Sequence, residues 1–421
     1  MKITEKSREE LQQLKAELDE EYALYQARGL KLDMSRGKPS SVQLNVNNKM
    51  LEMPITEFTL ENGMDVRNYG GVDGIPEMKR IFSELLGIPA AQIIVGGNSS
   101  LNMMYDTMMR LFMLGLGGHE PWKNLDKVKF LCPCPGYDRH FAITQTLGVE
   151  MINIPMTSSG PDMDMVEKLV AEDESIRGMW CVPLYSNPQG IIYSDETVER
   201  LASMKTAAPD FRSFWDNAYG IHHLFSENSL ADILTLSKEA GYPDRVMYFF
   251  STSKISLPGG GIAMMASGET AVTEIRKQIG IQTIGPDKVN QLRHVQFFKN
   301  ADGVRERMRE LAKQMVPKFQ LVLDILDEEL GDTGLLTWNK PEGGYFIAVD
   351  TLPGCAKETV ELAKNAGVVL TGAGATYPYG KDPMDTNIRL APSYPPLDEL
   401  ETAMRLFCLC VKMAGVKKLL A

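Results

Sequence analysis

Residues 248–263, YFFSTSKISLPGGGIA, decide the fold. Val246, Tyr248, Phe249 and Phe250 make a short run of β-branched and aromatic residues, the composition of a buried strand. Lys254 falls just past that strand, close to Ser251 and Ser253 and ahead of a proline and three glycines. Open α/β sheets keep their ligands at strand ends. A lysine sheltered from water there can become the neutral amine that an imine-forming nucleophile requires. The hydroxyls suit a phosphate, and Gly259, Gly260 and Gly261 let the backbone pass close to a ligand. Taken alone, Lys254 could equally snorkel from a strand end into water.

Outward from this stretch, strands and helices alternate. Strands are predicted at 92–96, 128–132, 149–155, 178–184, 211–215, 246–251 and 261–266. Helical patterns lie at 99–114, 138–147, 163–171 and 195–205. The rhythm predicts an α/β fold whose large domain, residues 50–290, holds a mostly parallel seven-stranded sheet sandwiched by helices. Residues 291–421 predict a smaller α+β domain. Its long helical stretch runs to about 330, kinked or broken near Gly303 and Pro317. Short strands, a helix at 357–366 and a last helix at 397–413 follow. Residues 1–49 form an N-terminal segment expected to pack with the small domain, so that domain is built from both chain ends. A capping box, Ser7 to Glu10, opens its helix, and Leu11, Leu14, Leu18 and Tyr22 follow at helical spacing.

Composition narrows the function. The 421 residues carry a net charge of −11, which argues against a general nucleic-acid binder but leaves room for a basic pocket. The N-terminal stretch has no signal-like apolar core, and no apolar run reaches membrane-spanning length, so a cytoplasmic location is expected. Six cysteines make no disulfide framework. The pairs Cys132/Cys134 and Cys408/Cys410 lack histidine partners at useful spacing, and no metal site is expected.

Each predicted strand of the large domain ends in a polar group. GGNSS (96–100) places Asn98, Ser99 and Ser100 at a helix start, a phosphate cradle that is also an ordinary capping pattern. Tyr137, on the turn CPCPGYD, offers a platform for a flat ring or simply begins a helix. Asn187 precedes a proline, which disfavours helical geometry, and a plain turn explains it as well. Asp216 closes a buried strand three residues before Tyr219; a carboxylate at such depth needs a cation, and a protonated pyridine nitrogen would serve. Near the start, LDMSRGKPS (32–40) holds Arg36 beside Gly37, where a side chain could meet an anionic substrate.

The series of hydroxylated turn, Tyr137, Asn-Pro-x-Gly from Asn187, Asp-x-x-Tyr from Asp216, Ser-x-Ser-Lys ending at Lys254 and a late arginine in NIRLAPS resembles the fold-type I pyridoxal-phosphate-dependent aminotransferases. The likeness spans nearly the whole chain. It is strongest to the aspartate-aminotransferase-like branch, through RGKPS and TIGPDKVNQLRH. By that resemblance Lys254 carries pyridoxal 5'-phosphate and moves the substrate proton. Asp216 holds the ring nitrogen protonated, Asn187 and Tyr219 bond the phenolic oxygen, and Tyr137 stacks on the ring. Asn98, Ser99, Ser100 and Ser251 hold the phosphate, helped by Tyr69 from the second subunit of a homodimer with shared sites. Arg389 takes the α-carboxylate, and Arg36, Gly37 and Asn187 complete the substrate site. The substrates implied are an amino acid, aspartate or glutamate first, and a 2-oxo acid. Other pyridoxal-phosphate reactions on the same scaffold, such as alanine or aromatic transamination, β-elimination or decarboxylation, remain open. A cofactor-sensing regulator would need a DNA-binding module, and the chain begins with an acidic helix instead. One departure from the family pattern stands out: Ile262 occupies the position of the usual phosphate-binding arginine. Lys288 of a partner subunit is the candidate substitute, and Lys288 and Arg293 stand behind Arg36 as readers of a substrate side chain.

Overall fold

The computed structural model describes residues 2–421. In chain order the first strands are β1 (Leu32–Asp33), β2 (Ile93–Val95), β3 (Lys129–Cys134), β4 (Glu150–Thr157) and β5 (Gly160–Pro161). Then come β6 (Ile176–Cys181), β7 (Arg212–Asp216), β8 (Val246–Ser251) and β9 (Ala263–Ala266). The last four are β10 (Leu336–Trp338), β11 (Ile347–Thr351), β12 (Val368–Val369) and β13 (Asn387–Leu390).

The central sheet has the order β2-β9-β8-β7-β6-β3-β4-β5. From β8 through β4 every neighbouring pair is parallel, whereas β9 runs antiparallel to both β8 and β2. The sheet therefore has eight strands where seven are expected. The extra one, β5, is a two-residue return along β4 that begins at Gly160 with φ +130°, too short to leave a periodic signal. Strands β7 and β8 are buried along their whole length, as parallel strands covered on both faces must be. Phe250 packs against Phe82 of the helix Pro76–Leu86 on one face, and Phe249 stacks with Phe214 on the other. Parallel pairing brings the ends of β6, β7 and β8 to a single edge.

The second core gathers around the antiparallel sheet β10-β11-β13. Leu11, Leu18 and Tyr22 of the helix Arg8–Ala27 join it, beside Leu400, Phe407 and Val411 of the helix Leu397–Leu420. The expected capping box at Ser7 is formed in full. Strand β1 pairs in parallel with β12. These contacts bring the SRG loop (35–37) to the edge of the large sheet.

The helical stretch after 286 breaks just ahead of Gly303, as expected, and is not broken at Pro317. Helices Lys288–Phe298 and Ala301–Leu330 are separated at Lys299, φ +69°, and Asn300 caps the second by accepting from the Gly303 amide at 2.9 Å. Pro317 lies inside the continuous helix, where buried Met315, Lys318 and Phe319 hold it against the second core. Packing there outweighs the lost amide donor. Among the described residues, no helix is long and apolar enough to cross a membrane.

Candidate active site

A cavity of about 500 Å³ opens where the ends of β7 and β8 meet the SRG loop, Phe346, Leu370–Gly372 and Arg389. Asp216, the last residue of β7, forms its floor and is 2% exposed. Its Oδ2 lies 2.9 Å from His140 Nε2, while Oδ1 is buried without a partner. His140 stacks flat on Trp180, with centroids 4.2 Å apart, so the imidazole cannot swing away from the carboxylate. A buried carboxylate oxygen left unpaired is costly, and a cationic or N–H group arriving from the cavity would relieve that cost.

Lys254 Nζ stands over the Tyr219 and Tyr345 rings, 5.1 and 5.6 Å from their centroids. Burial pulls its pKa below the ordinary lysine value, with the Asp216 charge acting in the opposite direction. Burial also raises the Tyr219 phenol well above its usual range, Tyr137 and Asp216 adding to the effect, so its hydroxyl stays a donor. Tyr137 meets His140 edge-on at 4.9 Å, and its phenol is pushed up to about 12, by burial first and then by Asp216 and Asp138.

Arg389 enters from β13 and is 7% exposed. Its Nη1 donates to Asp138 Oδ1 at 3.0 Å and to Asn187 Oδ1 at 3.3 Å, and the guanidinium lies 4.8 Å over the Phe346 ring. Nε is buried with no partner. Gly37 is glycine for a visible reason: a Cβ there would sit 2.5 Å from Cζ of Phe346, the ring that carries Arg389.

At the opposite end Ser99 and Ser100 begin the helix Ser100–Met113, and Ser251 and Ser253 face the cavity from β8 and the turn after it. Ser99 is the N-cap, yet its side chain caps nothing, so the hydroxyl and the first helix amides are available to an anion. Asn98 departs from expectation. Its side chain is exposed and donates to the Pro258 carbonyl at 3.3 Å, outside the cavity lining, while its own carbonyl accepts from Ser253 Oγ. Tyr69 also stands outside this cavity, 81% exposed. Arg36 lies exposed at the mouth.

Ile262 is buried, and its amide donates to Thr252 Oγ1 at 2.9 Å. Thr252 Oγ1 contacts Ser256 Oγ, and Ser256 Oγ lies 2.9 Å from His294 Nε2. His294 Nδ1 meets the Asn290 carbonyl, so Nδ1 carries the proton and Nε2 accepts. Asn290 Nδ2 closes the ring by donating to the carbonyls of Gly260 and Gly261. This ring ties the turn that presents Lys254 to the helix Lys288–Phe298. Lys288 is buried and donates to the Gly70 carbonyl at 2.8 Å, so it supports the loop carrying Tyr69 and does not reach this cavity. Arg293 lines a neighbouring cleft with Asn98 and Ile262.

Sequence reasoning overlooked His140, Asp138 and Phe346. His140 was within reach, since it lies three residues after Tyr137 and so shares a helix face with it. Phe346 and Asp138 matter only through Arg389, a contact between distant segments that carries no local signal.

The family model for aspartate amino-transferase matches residues 6–421. The aspartate aminotransferase of Corynebacterium glutamicum is 47% identical over 394 residues, covering 93% of this chain and 91% of that relative. A solved aspartate transaminase from the same organism superposes with a TM-score of 0.97 at 44% identity, covering 100% of this chain and 99% of that one. At 20% identity, the α-aminoadipate aminotransferase of Thermus thermophilus, complexed with N-(5'-phosphopyridoxyl)-L-leucine, shares the fold with a TM-score of 0.73 over 94% of this chain and 95% of that one.

Proposed function

The chain belongs to the aspartate amino-transferase family, and from that premise we propose that it moves the amino group of aspartate or glutamate to a 2-oxo acid, using pyridoxal phosphate held in the cavity at Lys254. The observation that carries this reading is the pair of unpartnered buried atoms, Asp216 Oδ1 and Arg389 Nε, in the cavity that contains a lysine of lowered pKa. The first suits a protonated ring nitrogen and the second a carboxylate. When bound, pyridoxal phosphate supplies the electron sink for negative charge at the substrate Cα.

The protein groups do the rest. Arg389 holds the α-carboxylate and thereby presents the Cα hydrogen. Lys254 would bind the cofactor covalently, and its Nζ is the group placed to accept that proton. A neutral amine is required for the first transfer, and burial favours one. Asp216, oriented by His140, keeps the ring nitrogen protonated. Tyr219, whose hydroxyl does not ionise near neutral pH, and Asn187 would hold the phenolic oxygen of the ring. Tyr137 would cover the ring, and Ser99, Ser100 and Ser251 would hold the phosphate with the helix amides.

The working assembly in this reading is a cytoplasmic homodimer in which Tyr69 of the partner subunit completes the phosphate site. Tyr69 and Ile284 are both exposed, and their chain neighbours Gly70 and Gly285 lie against one another, which supports such a contact. The division into residues 50–290, 291–421 and an N-terminal segment 1–49 belongs to the same proposal. Steady-state assays of the holoenzyme with aspartate, glutamate, alanine and phenylalanine, each paired with 2-oxoglutarate or pyruvate, test it. Aspartate or glutamate giving the highest kcat/KM is the expected result. A preference for alanine or phenylalanine, or β-elimination in place of transfer, contradicts it.

A further inference from the structure

A second cavity of about 540 Å³ lies between the segment 221–227 and the helix Ala301–Leu330, and it shares no lining residue with the cavity at Lys254. The helix contributes Arg305, Arg309 and Lys313 at intervals of four, so three cations fall on one face. Glu227 is the one carboxylate among the lining residues. In a chain of net charge −11, such a local excess of cations suits an anion. The remaining lining is largely apolar, with Ile221 and Met308 buried and Leu224 and Val316 half-buried.

Arg309 joins the two walls through Nε, 3.4 Å from Glu227 Oε1, and among the described residues its Nη groups have no hydrogen-bond partner. Its charge is felt at His223, whose pKa burial lowers first, with Glu227 opposing and Arg309 adding to the fall. The His223 ring is therefore neutral near neutral pH. Its Nδ1 accepts from the Asn228 amide at 3.4 Å and lies 2.7 Å from the Tyr185 hydroxyl, so Nε2 carries the proton. Nε2 itself has no partner among the described residues. Lys313 is exposed one turn beyond Arg309 and joins no ion pair among those residues. Arg305, by contrast, is taken up by Asp302 and the Glu84 carbonyl.

We propose that this cavity is a second ligand site, for a small monocarboxylate with an apolar body. The carboxylate accepts from Arg309 Nη and His223 Nε2, with the Lys313 charge one turn away. An aryl or branched body covers Ile221, Leu224 and Met308. Charge-assisted hydrogen bonds give the ligand direction, and burial of its body gives it affinity. The diacids proposed for the Lys254 cavity have no apolar body, so the two sites select different ligands.

Equilibrium dialysis of the holoenzyme against radiolabelled phenylacetate tests this, for wild type, Arg309→Gln, Lys313→Gln and Arg389→Lys. We expect saturable binding in wild type that survives Arg389→Lys, since that substitution touches only the other cavity. Arg309→Gln should weaken it roughly tenfold or more, the scale for losing a charge-assisted hydrogen bond, and Lys313→Gln should weaken it less. Phenylacetamide, which has the same body and no charge, should bind wild type at least about tenfold more weakly than phenylacetate. The exposed Arg309–Glu227 pair contributes little to stability, so Arg309→Gln should keep its fold and its turnover. Binding lost in Arg389→Lys but kept in Arg309→Gln would place phenylacetate at Lys254 and overturn the proposal. So would the absence of saturable binding, or equal binding of the amide. A change in the sedimentation mass of ligand-free Arg309→Gln would make this face an interface between copies of the chain, which also overturns it.

Discussion

The two ends of the cavity solve opposite electrostatic problems. At the floor, buried charged groups find hydrogen-bond partners within the chain: Asp216 in His140, Arg389 in Asp138 and Asn187. Each pair keeps one atom unfilled, Asp216 Oδ1 and Arg389 Nε, as a place for a ligand. At the hydroxyl-lined end no buried ion pair is found among the described residues. The cradle there is a helix N-terminus with uncommitted hydroxyls, and Ile262 stands where the family pattern has an arginine. Desolvation explains the difference. A charge in the floor must be paired to exist there at all, whereas amide and hydroxyl dipoles can wait for an anion at small cost. The floor is therefore where substitutions should be most damaging, and the cradle where they should be mildest.

The largest effect is expected for Asp216→Ala, which removes the ring-nitrogen partner and strands His140. Turnover should fall on the order of 10³-fold, the scale for losing a preorganised electrostatic contact. A loss of only a few-fold would erase the contrast between the two ends. Next comes Arg389→Lys, which keeps the charge and loses the fork. We expect kcat/KM for amino acids to fall by about 10²-fold, mostly through KM, with the spectrum of bound cofactor unchanged.

The smallest effect concerns the ring of hydrogen bonds beneath the cradle. Burial lowers the His294 imidazole from 6.5 to about 4. Between those values the unfolded chain binds more protons than the folded one, so this residue makes stability rise with pH from 4 to 6.5 and decline as pH falls through that window. Chemical denaturation of wild type and His294→Gln across the window should show the wild-type slope reduced in the variant. Parallel slopes would mean that His294 is not held neutral.

Much of this division is legible in the sequence. Asp216, Asn187, Ser251 and Lys254 each follow a buried apolar run, and parallel strands deliver their ends to one edge, so local pattern was enough to gather them. The resemblance to a known family supplied their roles. Asn98 was misplaced because a side chain in a Gly-Gly-Asn-Ser-Ser turn can point either way, and here the Pro258 carbonyl decides. The Phe346 platform and the Thr252–Ser256–His294 ring were invisible because each depends on segments dozens of residues apart. The short return β5 lies below the length at which periodicity speaks.

The central claim is that Lys254 is the amine through which this cavity holds pyridoxal phosphate. The direct measurement is the visible absorption spectrum of the purified protein after incubation with pyridoxal phosphate, for wild type and Lys254→Ala, before and after aspartate and then 2-oxoglutarate. We predict a visible band in wild type that aspartate bleaches and 2-oxoglutarate restores, and that borohydride reduction fixes to the peptide containing Lys254. Lys254→Ala should show no protein-linked band. A wild-type protein that stays colourless, or a variant that keeps the band and its response to aspartate, would contradict the account.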